Sequence, residues 1–193
     1  MSTETNSKKT EAIQKIQIKE PILESDFKKI IQLVDQNLSP DEVGPDYLKS
    51  LPSGSIYVAK ANDKIAGAVV ARLPKIYFDE LHEKYTSLDL IKTKKEKIGN
   101  IHIIIVSEQY RGQGIGQRLI KKALTFLKQS GVKTVVAHIW MQSPKNGSFL
   151  LFSSMGFKPI RLYEKTWQQY PGYKCVRCGS PCKCDFLEMA LDL

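Results

Sequence analysis

A glycine-rich junction between an apolar strand and a basic helix constrains the fold of this chain most. The run Ile101–Val106 is rich in β-branched residues, and glycines follow at the alternate positions 112, 114 and 116. Residues 114–130 then carry apolar side chains at helical spacing, at Ile115, Leu119, Ile120, Ala123, Leu124 and Leu127. The unpaired amides and the dipole at a helix N-terminus favour negative charge. We therefore predict an anion-binding turn between a strand and a helix.

The rest of the chain alternates between strand and helix patterns. The predicted strands are Ile13–Ile18, Ser55–Lys60, Ile65–Arg72, Asn100–Val106, Thr134–Trp140, Phe157–Tyr163 and Phe186–Leu193. The predicted helices are residues 114–130, Phe27–Val34 with a cap at Ser25 or Asp26, Pro45–Leu51 and Gly147–Met155. Antiparallel strands come first and strand–helix–strand units follow. This order predicts an α/β (α+β) fold with a mixed, mainly antiparallel sheet flanked by helices.

The chain is predicted to form one domain with three irregular segments. Residues 1–12 are polar and read as a disordered tail, and residues 13–193 form the domain. A charged surface insertion is expected at 74–98, and a loop at 164–185 contains every cysteine. The N-terminus lacks the apolar core of a secretory signal, and no apolar run approaches the roughly 20 residues that span a bilayer. We therefore expect a soluble, cytoplasmic protein.

Positive charge is concentrated in the second half of the chain. The formal net charge is +9, yet residues 1–100 hold 16 basic and 15 acidic side chains. Residues 101–193 hold 13 basic and 5 acidic side chains. This asymmetry predicts an anionic partner for the second half, and it leaves nucleic acid, a phosphorylated cofactor and an acidic protein open.

Two common phosphate-binding motifs do not fit the glycine turn. A nucleoside-triphosphate P-loop ends in Gly-Lys-Ser/Thr, and that ending is missing here. A dinucleotide fingerprint reads Gly-x-Gly-x-x-Gly, with an acidic residue about 20 positions later. The spacing in this chain is Gly-x-Gly-x-Gly, and residues 133–140 contain no acidic side chain.

The turn instead resembles the signature of the GNAT acetyltransferase superfamily, Arg/Gln-x-x-Gly-x-Gly/Ala after a strand that ends in Val. Arg111, Gly114 and Gly116 fill this signature, and Val106 stands five residues before Arg111. The segment Leu151–Phe157 resembles the family's second motif, Leu-Tyr-x-x-x-Gly-Phe. The resemblance covers about residues 13–193, and it implies the GNAT fold with the sheet splayed at the motif strand.

The resemblance implies acetyl-CoA as the co-substrate and assigns residues that bind it. In the family the turn amides bind the pyrophosphate, and the splayed strand pairs with the pantetheine arm. Asn146 lies one residue out of register with an Asn that often contacts this arm. By the same analogy, the Ile104 amide is the backbone oxyanion donor. The assigned cofactor-binding residues are Ile104, Ile105, Val106, Arg111, Gly112, Gln113, Gly114, Ile115, Gly116 and Asn146.

The residue expected to protonate the leaving thiolate departs from the family pattern. Phe152 stands where many members place a Tyr, and it has no ionisable proton. Either another tyrosine takes this role, or the thiolate leaves unaided, as an ordinary thiol pKa near 8.5 allows. The candidate replacements are Tyr163, Tyr170 and Tyr173.

The general base departs from the pattern as well. Some members carry a Glu early on the motif strand, and the matching residue here is Asn100. His102 lies two residues further, so its side chain points to the same face. It is either the catalytic base or a hydrogen-bonded structural histidine. Glu108 and Glu80 are weaker candidates for the base, and His138 is expected to be structural.

Four cysteines stand within ten residues, in a segment that the GNAT pattern does not include. They are Cys175, Cys178, Cys182 and Cys184. The Cys-x-x-Cys-Gly half resembles a zinc knuckle, and four thiolates suit tetrahedral zinc. Two disulfides are the main alternative, and free thiols, an iron–sulfur site and a catalytic thiol are the others. In each case the expected role is to fix the long loop between the last two strands.

The leading hypothesis is an N-acetyltransferase that moves the acetyl group of acetyl-CoA to a primary amine by direct attack. The alternative is a binding module without turnover, either a CoA-binding GNAT-like fold or a zinc-stabilised module for nucleic acid or protein. Nucleic-acid modules expose aromatic residues beside their basic ones, and here the only such cluster is Trp167–Tyr173. The acceptor of the acetyl group, a protein or a small amine, stays open.

Overall fold

The protein folds around one twisted sheet. The structure is a computed structural model that describes residues 16–40, 42–62, 64–78, 84–170 and 172–193. In these residues seven strands form a sheet in the order β1-β2-β3-β4-β5-β7-β6. The strands are β1 (Ile16–Lys19), β2 (Ile56–Ala61), β3 (Lys64–Arg72), β4 (Ile98–Val106), β5 (Thr134–Trp140), β6 (Lys158–Tyr163) and β7 (Phe186–Asp192).

Only the β4–β5 pair of this sheet is parallel, and the other five pairs are antiparallel. The mixed, mainly antiparallel sheet predicted from the sequence is therefore confirmed. The described helices are α1 (Glu24–Asn37), α2 (Pro45–Ser50), α3 (Pro74–Tyr77), α4 (Ile115–Gln129) and α5 (Gly147–Ser154).

The start of α1 differs from the expectation. Its cap residue is Leu23, and neither Ser25 nor Asp26 takes that position. Asp26 lies inside the first turn, where its Oδ2 accepts hydrogen bonds from the amides of Ile22 and Leu23, at 3.1 and 3.3 Å. A carboxylate in the first turn accepts hydrogen bonds from free amides, as a cap residue does. Asp26 therefore satisfies amides at the start of α1 from inside the first turn and not from the cap position.

Helices cover both faces of the sheet because β3 is apolar on both of its sides. Val69 packs in the cluster that contains Leu119 and Leu127 of α4, whereas Val70 packs in the cluster that contains Ile30 of α1. Both valines have no exposed surface. Burial on both faces explains why this strand reads as continuous apolar sequence instead of alternating.

The segment expected as a surface insertion lies only partly at the surface. Tyr77 of α3 is fully buried, and Ser87 is 1% exposed. The Ser87 amide donates to both carboxylate oxygens of Glu188 on β7, at 3.0 and 3.2 Å. A buried carboxylate with these donors holds the segment against the sheet. Residues 79–83, which include Glu80, lie outside the described residues, as do the predicted tail 1–12 and residues 13–15 of the first predicted strand.

The ladder between β4 and β5 stops halfway along the two strands. Its registered pairs run from Ile98 with Thr134 to Ile101 with Ala137. At this point β4 has a bulge against β3, because Val70 pairs with Ile103 and Ala71 pairs with Ile101, which leaves His102 as the additional residue. From residue 102 to residue 106, β4 has no ladder partner on its β5 side among the described strands. The predicted splay at the motif strand is confirmed.

The described helices are short. The longest, α4, has 15 residues. None of the helices that the structure describes combines the length and the apolar composition needed to cross a membrane.

Candidate active site and cysteine cluster

The glycine turn at the end of β4 is open to a ligand. Gly112 and Gly114 have φ angles of +78° and +71°, a region that strains residues with a side chain. A Cβ added at either glycine meets no heavy atom within 4 Å. Gly114 is also the cap residue of α4. The backbone can therefore come close to a ligand at the N-terminus of a 15-residue helix.

The motif begins at Arg111, but the free amide donors of the turn begin one residue later, at Gly112. The Arg111 amide already donates to the Glu108 carbonyl at 3.1 Å. The Arg118 amide makes the first helical bond of α4, to the Gly114 carbonyl at 3.1 Å. The amides between these two residues precede the helical ladder, as the first amides of any helix do. They are the amides of the six consecutive residues Gly112, Gln113, Gly114, Ile115, Gly116 and Gln117.

The Arg111 side chain fixes the turn to its surroundings. Its Nε donates to the Val106 carbonyl at 3.0 Å, and its Nη2 donates to Asn37 Oδ1 at 3.0 Å. The guanidinium therefore joins the turn to the last residue of β4 and to the end of α1. Arg111 acts here as a positioning group for the turn.

The two sequence motifs meet in the structure. A Cβ added at Gly116 would lie 2.9 Å from Cδ2 of Leu151 on α5. Phe152, the next residue, is 2% exposed and packs edge-on against Phe157, with ring centroids 5.0 Å apart. The position that holds a Tyr in many family members is therefore a core position in this chain.

A cavity of about 120 Å³ opens where β4 and β5 diverge. Asn100 and His102 of β4, His138 of β5 and Glu42 from the loop before α2 line it, and the cysteine loop closes it. Asn100 Nδ2 donates to the Val136 carbonyl at 3.0 Å. Asn100 Oδ1 is buried and has no hydrogen-bond partner among the described residues. An unsatisfied acceptor at a cavity wall indicates a ligand that donates a hydrogen bond.

His102 faces a guanidinium. Its Nδ1 lies against Nη2 of Arg72, which is 3% exposed. A guanidinium only donates hydrogen bonds, so Nδ1 accepts, and the proton of the neutral ring is on Nε2. The ring also packs edge-on near Tyr47, with centroids 6.0 Å apart. With this tautomer Nε2 is the donor nitrogen of the His102 ring, and His102 lines the cavity.

Glu42 is the cavity residue that sequence reasoning missed. Burial raises the pKa of its carboxyl, and the charge of Arg72 offsets part of that rise. A carboxylate with a raised pKa is a stronger base at neutral pH. Glu42 lies in the loop between α1 and α2, more than 50 residues before the motif strand, and no local pattern distinguishes it from a solvated glutamate.

The other candidate residues named from the sequence lie in different surroundings. Tyr173 lines the cavity, and burial raises the pKa of its hydroxyl. Tyr163 instead places its hydroxyl 3.0 Å from Ser87 Oγ. His138 lines the cavity and has its Nε2 3.0 Å from the Tyr85 carbonyl, a contact of the kind that a structural histidine makes. Asn146 is exposed at the N-terminus of α5 with a φ of +52°.

The four cysteine sulfurs form a compact cluster without disulfide bonds. All four sulfurs lie within 4.8 Å of one another. Cys178 Sγ is 3.7 Å from Cys182 Sγ and 3.6 Å from Cys184 Sγ, and Cys175 Sγ is 3.8 Å from Cys184 Sγ. The structure thus shows free thiols at the spacing that a common ligand requires, and it does not show the predicted alternative of disulfides.

Backbone amides support the sulfurs of the cluster. The Arg177 amide donates to Cys175 Sγ at 3.4 Å, and the Lys183 amide donates to Cys178 Sγ at 3.2 Å. The Lys183 bond lowers the pKa of the Cys178 thiol to about 7, whereas burial raises the pKa of Cys184 to about 11. Cys175 and Gly179 exchange backbone hydrogen bonds at 3.1 and 2.9 Å. The predicted knuckle turn is therefore present.

Sequence comparison assigns the chain to a family. Residues 23–157 match the Acetyltransferase (GNAT) family. An uncharacterized N-acetyltransferase of Methanocaldococcus jannaschii is 32% identical over 65 residues, which are 34% of this chain and 28% of that protein. An uncharacterized N-acetyltransferase of Chlorobaculum tepidum is 30% identical over 100 residues, 50% of this chain and 57% of that protein. The matches therefore span less than two thirds of either curated relative.

Solved structures show the same fold at low identity. The ribosomal-protein-S18-alanine N-acetyltransferase from Escherichia coli superposes with a TM-score of 0.60 at 15% identity, covering 92% of this chain and 94% of that chain. A chain of the NatC complex bound to Gag peptide and CoA gives 0.64 at 18% identity, covering 92% and 98%. Since the family match alone covers more than half of the sequence, this chain belongs to the GNAT acetyltransferase family.

Proposed function

We propose that the protein transfers the acetyl group of acetyl-CoA to a primary amine by direct attack. The observation that carries this proposal is the open edge of β4. Residues 102–106 have no ladder partner on the β5 side among the described strands, and this edge runs from the cavity to the glycine turn. A polyphosphate at the turn and an acceptor in the cavity would therefore be connected along one strand.

The chain offers a fitting cradle for the cofactor. The open space beside Gly112 and Gly114 and the free amides of the first turn of α4 suit a pyrophosphate. Ile104, Ile105 and Val106 lie on the open strand edge, where a pantetheine arm would pair. Acetyl-CoA supplies the activated acetyl thioester. The Ile104 amide is the proposed donor to the thioester oxygen, and a pre-placed donor of this kind contributes a few kcal/mol.

Glu42 is the proposed proton acceptor for the acceptor amine. An amine is mostly protonated at neutral pH and must lose a proton before its lone pair can attack. The Glu42 carboxylate lines the cavity and has a raised pKa, so it takes this proton directly or through one water. His102 donates through Nε2, and Asn100 Oδ1 accepts a hydrogen bond from the amine. We therefore assign His102 an orienting role, in place of the catalytic base that was one of its two expected roles.

The leaving thiolate needs little help. A thiol pKa near 8.5 makes the thiolate a good leaving group at neutral pH. Phe152 is buried and supplies no proton. Tyr173 lines the cavity and can donate a hydrogen bond to the sulfur. Since burial raises the pKa of Tyr173, it stabilises the thiolate by this bond and keeps its own proton.

We also propose that the cysteine cluster holds one structural zinc ion. A Zn–S bond of about 2.3 Å gives a tetrahedron with edges of about 3.8 Å. Three of the six sulfur separations, at 3.6, 3.7 and 3.8 Å, fit these edges, and all four sulfurs lie within 4.8 Å of one another. Amides donate hydrogen bonds to Cys175 and Cys178, and such bonds orient the ligand atoms of metal sites. Elemental analysis of the purified protein tests this, with one zinc per chain as the expected result.

The activity is tested by incubating the purified full chain with acetyl-CoA and a panel of amines, and by detecting acetylated products by mass spectrometry. Because two structural neighbours are named for a ribosomal protein and a bound peptide, the panel includes peptides with free N-termini beside lysine analogues and small amines. Gln113→Glu introduces one negative charge at the turn, and it should raise the KM for acetyl-CoA at least tenfold. Gln129→Glu, the same change at the far end of α4, should leave it unchanged. Absence of both acetyl-CoA binding and product contradicts the proposal, and binding without product favours a module without turnover.

A further inference from the structure

We propose that the metal-loaded cysteine cluster forms one wall of the acceptor cavity, so that zinc occupancy controls the acceptor site and leaves the cofactor site intact. This inference rests on the proposed function, because it identifies the cavity as the place of the acceptor. It gives the cluster a role in acceptor binding beyond the stabilisation of a loop.

Three of the four cysteines line the cavity. They are Cys175, Cys182 and Cys184, and they are at most 8% exposed. Cys178 is half-exposed and is not a lining residue. The cluster therefore has an inner side that faces the cavity and an outer side at Cys178. The lining of the cavity also contains Asn100 and His102 of β4.

The cluster is the packing centre of its own loop. The sulfurs of the three buried cysteines pack with four partly buried neighbours, which are Trp140, Trp167, Tyr173 and Cys178. The rings of Trp167 and Tyr173 stack at 5.1 Å. Apart from a 3-10 turn at Thr166–Gln169 and the bridge between Cys175 and Gly179, the described part of the loop has no regular structure.

The loop is tied to the protein near its ends, where Asp185 bonds with Gln142 and Met141 and Gln169 bonds with Tyr85 and Lys84. Its cysteine-bearing part is joined by fewer hydrogen bonds. Ser39 Oγ donates to the Lys174 carbonyl at 2.9 Å, the Val176 amide donates to the Leu38 carbonyl at 3.3 Å, and Arg177 Nη1 donates to the Gln142 carbonyl at 2.5 Å. A long loop without its own core loses much entropy when it is ordered. A tetrahedral metal with four ligands from this loop supplies the missing crosslink, because metal binding and local folding are then one equilibrium. Without the metal, the wall keeps only these bonds and the packing of its aromatic neighbours.

The glycine turn, which is the pyrophosphate end of the proposed cofactor site, rests on other elements, whereas the thioester end at Ile104 adjoins the cavity. The turn is held by α4, by the end of β4 and by Asn37, through Arg111. The cavity involves β4 only up to Ile103, and the turn begins after Val106. At about 3.3 Å per strand residue, these positions are about 10 Å apart along the strand. Loss of the metal should therefore disturb the acceptor cavity and leave the glycine turn in place.

The two tryptophans of the chain give a direct readout of the wall. Both Trp140 and Trp167 line the cavity, and the sequence contains no other tryptophan. Quenching of their fluorescence by acrylamide reports how far solvent enters the cavity, and it does not depend on knowing the acceptor. Isothermal titration with acetyl-CoA reports the cofactor site on the same samples.

The experiment compares the zinc-loaded full chain with the chain after removal of zinc by a chelator under reducing conditions. The expected result is an at least threefold rise in the acrylamide quenching constant, an acetyl-CoA Kd that stays within twofold, and reversal on addition of zinc. The KM for whichever panel amine is acetylated should rise at least tenfold. An unchanged quenching constant, or an acetyl-CoA Kd that weakens as much as the quenching constant rises, overturns the inference. So does a chain that binds no zinc.

Variants of the outer cysteine separate the metal from direct contact. Cys178→Ser removes a ligand that does not touch the cavity, and it should reproduce the metal-free quenching constant. Cys178→His keeps four ligands and should retain zinc and the closed wall. Val176→Ser, in the same turn and 43% exposed, is the matched control and should change neither property. If Cys178→Ser loses zinc while the quenching constant stays low, the inference is wrong.

The two proposals fail in different ways. If the zinc-loaded chain binds no acetyl-CoA, the proposed function fails. Acrylamide quenching of the tryptophan fluorescence, with circular dichroism as the control for folding, still decides whether the metal holds the cavity wall in place. If acetyl-CoA binds and amines are acetylated equally well with and without zinc, the proposed function stands and the inference fails.

Discussion

Gly116 and Leu151, which belong to separate sequence motifs, are in direct contact. A Cβ at position 116 would lie 2.9 Å from Leu151 Cδ2, closer than side-chain carbons approach one another. Gly116 lies inside α4, where its backbone needs no positive φ. The requirement for glycine here is therefore one of space between α4 and α5, in contrast to Gly112 and Gly114, where backbone conformation sets it.

Gly116→Ala should change stability by an amount that depends on Leu151. In the wild-type background the Leu151 side chain must move, and the cost of that movement offsets part or all of the helix propensity gained, which is about 1 kcal/mol. In the Leu151→Ala background the obstructing methyl groups are absent, so the same change should stabilise the protein by up to about 1 kcal/mol. Urea unfolding of the four proteins of this double-mutant cycle measures the effect. Equal changes in both backgrounds would show that the contact is not the cause.

Glu42→Gln should remove most of the activity. If Glu42 accepts the amine proton, its loss lowers kcat by about 100-fold or more, because general bases contribute about 10²–10⁴. The variant keeps the size of the side chain and its hydrogen-bonding oxygen. Steady-state rates with saturating acetyl-CoA check this, and Glu108→Gln is the control, since Glu108 lies on the glycine turn side and does not line the cavity. Activity within threefold of wild type would remove Glu42 from the mechanism.

The same substitution should stabilise the fold at neutral pH. Burial raises the pKa of Glu42 in the folded state above its unfolded value. Between these two pKa values the folded state binds more protons than the unfolded state, so this carboxyl makes stability fall as pH rises. Above the folded pKa the loss is complete, and Gln removes it. The Tm of Glu42→Gln should exceed that of wild type at pH 8 and equal it at pH values below the unfolded pKa. A lower Tm at pH 8 would contradict the assigned burial.

The sequence predicted the elements well because their signals are local. Helix α4 and strand β5 agree with the predictions to within a residue, since their periodicity is carried by many residues in a short window. The knuckle turn was also visible in the spacing of Cys175 and Cys178. The glycine turn was recognised for the same reason.

The cavity was harder to predict from the sequence because its lining residues come from segments that are far apart in the chain. Glu42, Arg72 and Tyr173 reach it from three separate parts of the chain. The sequence predicts His102 on the same strand face as Asn100, but the tautomer of His102 depends on Arg72 from the neighbouring strand. No pattern within one segment reveals such a partner. The conformation of a site made by tertiary contacts follows only from the fold.

His102→Gln should keep much more activity than the loss of a general base allows. We assign the ring a donor role through Nε2, and a Gln amide also donates. The variant should therefore retain activity within about tenfold of wild type, whereas His102→Ala, which leaves no donor, should lose more. Rates measured from pH 5.5 to 9 on both variants check this. If His102→Gln removes an acidic limb from the pH profile that Glu42→Gln leaves in place, His102 is the base and Glu42 is not.

Phe152→Tyr, which restores the common family residue, should not increase activity. Phe152 is 2% exposed and packs against Phe157, so a hydroxyl at this position is buried among apolar side chains. A buried hydroxyl without a partner costs about 1–3 kcal/mol. The variant should be destabilised in urea unfolding, with kcat no higher than that of wild type. Tyr173→Phe, by contrast, should lower kcat several-fold, because Tyr173 is the tyrosine among the predicted replacements that lines the cavity. A Phe152→Tyr enzyme that is both stable and faster would show that the thiolate of this enzyme does need an acid at the family position.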